Sequence, residues 1–143
     1  MLDGPSFPPN SPVNLKIVLT VLRLISAAIL FQSLFYKFGS HPDSILLFGT
    51  LGVEPWGRYL LGTVELAIVV LLLIPKTSLL GAIGGIGVMT GAIFTHLFFI
   101  GINFNGDGGR LFMLASGCFL ACFLQCLILK NQILGYVKHR HFI

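Results

Sequence analysis

Four ionisable side chains stand in or beside long apolar stretches of this chain, where water is not expected to reach them. Arg23 and Glu65 are well inside such stretches, and Lys37 and His96 stand at the ends of theirs. A charge at the centre of a bilayer costs at least about 2.5 kcal/mol, so such a residue is kept for a partner or a task. Glu65 and His96 can carry protons, and they are the candidate catalytic residues. Lys37 and Arg23 can stabilise an anion, or a carbonyl that gains charge. Arg23 and Glu65 are expected to pair. Counted along their helices, they stand about 12 Å from one membrane face and about 13 Å from the other, which leaves an axial gap of about 5 Å. In the purely structural alternative, that pair only fixes helix register and Lys37 reaches out to the headgroups.

The aromatic residues crowd toward one end of the spans. Phe35, Tyr59, Phe94 and Phe98 are expected to wall an apolar pocket there, together with Arg23 and Lys37 as ligand-binding residues. No metal site is expected, because His96 has no second His or carboxylate at i+3 or i+4. Cys118, Cys122 and Cys126 are spaced by four on one helical stripe, where neighbouring Cβ atoms about 6 Å apart would strain a disulfide. No haem-ligand pair, flavin fingerprint or paired redox cysteines stand out, so no intrinsic cofactor is expected. Electron transfer would need a partner subunit.

The elements that must position these groups follow from composition. Of 143 residues, 55% are hydrophobic and 10% charged, where a soluble domain carries roughly a quarter charged. A water-soluble globule is excluded. The nine Lys and Arg are scattered singly, without the basic patch that nucleic acid requires. Hydrocarbon about 30 Å thick needs roughly 20 apolar residues per helix, so the chain is expected to be an all-α, polytopic four-transmembrane-helix bundle. The spans are placed at about 14–38, 56–74, 78–101 and 110–129, with Asn14 as the first cap. They form one domain over 14–130. A Pro-rich tail without signal-peptide character is expected over 1–13, and a short basic tail over 131–143.

Between spans one and two, the run SILLFGTL is too short to cross and is expected to lie at the interface. Pro75, Lys76 and Thr77 form a tight turn, and NFNGDGG at 103–109 is turn chemistry. Lys16, Lys76, Lys130, Lys138 and Arg140 stand on one side, against Lys37, Arg58 and Arg110 on the other, which places both termini in the cytoplasm. Gly81, Gly85, Gly87 and Gly91 give span three two small-xxx-small pairs, expected to make it the most closely packed helix.

The first span, LRLISAAILFQSLFYKF, and the segment LGVEPWGRYLLGTVELAIVVLLLIP resemble the DoxX family of small four-span membrane proteins over about residues 20–100. Arg23, Lys37 and Glu65 match that family's Arg, Lys and Glu, while Ser33 and Leu34 stand where it often has His-Gly. The resemblance implies a four-helix bundle and an association with redox systems: subunits of quinol oxidase or of thiosulfate:quinone oxidoreductase, and complexes that handle thiol stress. It brings a quinone into view as ligand, with the bilayer, a redox partner subunit and copies of the same chain as neighbours. Related four-span proteins instead assist the maturation of other membrane proteins, so a non-enzymatic scaffold stands beside the redox reading.

Overall fold

The computed structural model describes residues 13–140, with side-chain surroundings for 14–130. The chain is all-helical over the described residues. Helix α1 spans Val13–Phe38, α2 Pro42–Thr50, α3 Trp56–Leu73, α4 Ser78–Thr95 and α5 Arg110–Arg140. Four of the five are long and apolar enough to cross a bilayer, with α4 continuing through a π-helical turn at His96–Ile100. The protein is an integral, multi-pass membrane protein.

Composition explains the order of elements. Each crossing helix is rich in Leu, Ile, Val and Phe, and in hydrocarbon a helix satisfies its own backbone polar groups. Pro75, which cannot continue α3, opens the 3₁₀ turn Pro75–Thr77 that leads into α4. Helix α2 has nine residues, about 14 Å, and cannot cross. It starts where His41 Nδ1 accepts the Asp43 N–H at 3.2 Å and Pro42 takes the first-turn position that has no donor to lose. Helix α1 packs on α3 and α5, and α4 packs on α3 and α5, so the bundle closes in a ring. Leu30, Ile68, Leu72, Ala82, Cys118 and Cys122 fill its centre.

Several expected details differ. Asn14 lies inside α1 and does not cap it. Helix α5 runs to Arg140, so most of the segment expected as a short tail after 130 continues the fourth helix. The Pro-rich tail lies outside the described residues, apart from Val13.

The glycines of α4 divide into two groups. An added Cβ at Gly81 would stand 2.8 Å from the Leu72 backbone nitrogen, and one at Gly85 would stand 2.6 Å from Cys122 Sγ. At Gly87 and Gly91 it would meet nothing within 4 Å. The close approach of helices therefore runs through Gly81 and Gly85, and the expectation that Gly87 and Gly91 pack the same way is corrected.

Arg23 does not meet Glu65. Its Nε donates to Leu72 O at 2.9 Å and its Nη2 to Leu73 O at 2.8 Å. It closes the carbonyl end of α3, where orphan acceptors and the negative end of the helix dipole both favour a guanidinium. The expected ion pair fails on register. Arg23 lies level with Leu72 and Lys37 with Arg58, fourteen residues along one helix and fourteen back along the other. Glu65 is seven residues from Leu72, roughly 10 Å along the axis, and this exceeds the 5 Å gap inferred from span ends. Arg23→Leu is expected to cost about 1–3 kcal/mol by stranding two carbonyls, with Arg23→Lys recovering part. Thermal unfolding in detergent reads this directly, and a wild-type melting point for Arg23→Leu would contradict it.

Candidate functional site

Glu65 sits on the inward face of α3, 2% exposed. Its Oε2 lies 3.0 Å from Lys37 Nζ and accepts from Ser33 Oγ at 3.2 Å. Lys37 also donates to the Ser33 hydroxyl one turn back on α1. Lys37 therefore does not reach out to headgroups; its ammonium is buried in an ion pair. The pair neutralises itself, which is the condition for keeping two charges at this depth.

Arg58 holds this corner from the next turns of α3. It is 3% exposed, and its Nε donates to both Glu54 oxygens at 3.0 Å, with Nη2 2.9 Å from Glu54 Oε1. Its Nη1 donates to the Lys37 carbonyl and, at 3.1 Å, to Ser40 Oγ. The fork thus ties the end of α1 to the start of α3 and sets where Lys37 stands.

Next to the Glu65–Lys37 pair lies a cavity of about 470 Å³. Its apolar lining includes Leu30, Leu61, Met89 and Leu114, and its polar lining includes Ser33, Lys37, Glu65 and His96. Helix α2 covers it with Ser44, Leu47 and Phe48; Leu51, just past α2, and Arg110 also stand on its lining. Gly87 and Gly91, both exposed, also line it. His96 is buried at the π-helical turn. Its Nδ1 is 3.0 Å from Gly101 O, and its ring meets Phe112 edge-on at 5.9 Å. A carbonyl oxygen can only accept, so in this contact His96 Nδ1 is the donor. A π-turn at such a position is a frequent mark of function.

The structure thus brings Glu65, His96 and Lys37 to one cavity and leaves Arg23 at the far end of α3. The aromatic wall is corrected. Phe35, Tyr59, Phe94 and Phe98 all have exposed side chains and do not line the cavity. Phe94 on α4 and Phe98 on the π-helical turn instead lie against each other with exposed, tilted rings, centroids 4.6 Å apart. The aromatics that line the cavity are Tyr36, Phe48 and Phe104. Sequence reasoning also missed Ser33 and Arg58. The signals were Ser33 at i−4 from Lys37, and Glu54 at i−4 from Arg58.

Among the described residues, no group of three His, Cys, Asp or Glu is gathered as a metal-binding set. A short-looped four-span bundle with a buried ion pair on an internal cavity defines a class of small polytopic membrane protein whose polar groups serve its interior. The chain belongs to the DoxX-like family, whose model matches residues 18–105. That match takes in Arg23, Lys37, Glu65 and His96. No curated protein and no solved structure matches the chain.

Proposed function

We infer that this protein binds a lipophilic molecule with a hydrogen-bonding head in the cavity beneath α2, and that it does so as a subunit of a membrane redox system. The observation that carries the reading is the cavity itself: about 470 Å³, mostly apolar, with Glu65, Lys37, Ser33 and His96 in its lining. Small-molecule sites have this character, a pocket of roughly 300–1,000 Å³ with a few placed polar groups. A quinone fits the chemistry. Its flat ring suits the Leu and Met wall, and its carbonyl oxygens suit donors such as Lys37 and Ser33. When bound it would supply the reversible two-electron chemistry. The chain's own residues orient the head, exclude water and offer Glu65 and His96 as places to hold a proton. The electrons would come from a partner subunit. The charge distribution supports an orientation with both termini in the cytoplasm and α2 at the outer face.

The alternative is a non-enzymatic scaffold in which the glycine face of α4 would dock another membrane protein. Gly81 and Gly85 pack within the bundle and are not free for this, while Gly87 and Gly91 are exposed and line the cavity.

Gly87→Leu tests the reading. An added Cβ there meets nothing within 4 Å and stands on the cavity lining, so the fold should hold within about 1 kcal/mol while the cavity is narrowed. Protein purified in mild detergent should release a lipophile into organic solvent, read by mass spectrometry, and the variant should release several-fold less. Equal yields from the two, or an extract of bulk lipid alone from the wild type, would end the proposal.

A further inference from the structure

Past Met89 and Ala115 on the cavity wall, the core turns to sulfur. Cys118 and Cys122 are both fully buried, one turn apart on α5, and belong to one buried cluster. Gly85 of α4 lies against Cys122. The two helices run in opposite directions, so Met89, one turn beyond Gly85, comes level with Cys118, one turn before Cys122. Met89 is buried in the same cluster as both cysteines. Hydrogen-bonding groups flank the sulfurs on the α1 side. Cys118 Sγ is 4.0 Å from Ser26 O. Gln125 Nε2 donates to Ser26 Oγ at 2.8 Å, while Gln125 Oε1 is buried with no hydrogen-bond partner.

We propose that Cys118, Cys122 and Met89 form a binding site for copper(I). Thiol and thioether donors are soft and select this ion over hard cations, which need several oxygen ligands. A set of two or three donors suits copper(I) and falls short of the four that structural zinc takes. On binding, the ion displaces the proton of one thiol, which leaves through the cavity to solvent, and a copper–thiolate bond replaces the S–H bond. The other thiol and the Met89 thioether coordinate as neutral donors. The product carries no net charge, as a site in hydrocarbon requires. Copper stays in the +1 state, so no oxidant or reductant is consumed. Ser26 and Gln125 supply the surrounding polar shell that orients such ligands, with Gln125 Oε1 free to accept a further hydrogen bond.

The test uses the full chain in detergent under anaerobic conditions, titrated with copper(I) against bathocuproine disulfonate. The wild type should retain one copper per chain, with only sulfur neighbours in X-ray absorption. Replacing both Cys118 and Cys122 by Ala should abolish retention, and Met89→Leu, close in size, should weaken it by roughly tenfold. Cys126→Ser should bind like the wild type, since Cys126 lies a turn further on and is only partly buried. Thermal melts confirm that each variant is folded. Wild-type retention no better than that of the Cys118/Cys122 double variant would overturn the site. So would an equal loss in Cys126→Ser, or oxygen neighbours around the bound copper.

Discussion

Lys37→Ala is expected to cost about 3–5 kcal/mol of stability, because it leaves the Glu65 carboxylate buried with Ser33 as its remaining polar partner. Glu65→Gln should be costly too, since it strands the Lys37 ammonium. The double change Lys37→Met with Glu65→Leu should recover most of either loss, because burying an ion pair and burying two apolar side chains of similar volume come out nearly even. Unfolding of the four proteins in the same detergent closes the cycle. If the single costs simply add, the contact at 3.0 Å does not act as a pair. The double variant has a second use: it should stay folded while its cavity has lost its charged wall. A wild-type yield of co-purified lipophile from it would show that the pair serves the fold alone.

Gly81→Leu should be the most damaging substitution in α4. Its Cβ would stand 2.8 Å from the Leu72 nitrogen and 3.0 Å from the Leu71 carbonyl carbon, and backbone atoms inside a helix cannot move aside. Overpacking of this kind costs about 1–3 kcal/mol or more, and here it also separates α3 from α4. Leu at Gly85 meets a sulfur instead, at the end of a short side chain, and should cost less. Leu at Gly87 should cost nothing by this route. The predicted order of melting temperatures is Gly87→Leu above Gly85→Leu above Gly81→Leu. A Gly81 variant as stable as the Gly87 variant would show that α3 and α4 do not approach as described.

The four crossings were legible because hydrocarbon imposes length and composition on every helix, and a break such as Pro75 needs no tertiary knowledge to recognise. The cavity's polar residues were legible for a related reason. An ionisable group in an apolar run must face inward, which singled out Glu65, Lys37 and His96. Their partners were not legible, because pairing depends on axial register. Span ends located from hydropathy place register only within a turn or two, and α1, with 26 residues against 18 in α3, cannot start and stop level with it. The Arg23 error came from there. The aromatic wall failed for a different cause. In water, Phe inside a pattern signals a core, but in lipid the outer surface is equally apolar, so Phe35, Phe94 and Phe98 gave no sign of which way they face. Gly87 and Gly81 likewise look alike in sequence and differ only in what stands across from them.

The two cations of α1 limit how the bundle can move. Arg23 holds the last carbonyls of α3 while Lys37 holds Glu65 and its own carbonyl takes Arg58, so α1 grips α3 at two levels about 21 Å apart. A piston stroke of one turn, about 5.4 Å, would break both grips at once. Sliding between these two helices is therefore blocked, and α1 with α3 behaves as a rigid post. Any opening that admits a molecule to the cavity must come from parts without such pins. One is α2, tied to the 103–109 turn by the Asn105–Asp43 hydrogen bond at 3.0 Å. The other is the outer half of α4, where a π-turn and open glycines leave slack. Cross-linking α1 to α3 should then leave ligand exchange untouched, whereas cross-linking α2 to the 103–109 turn should slow it.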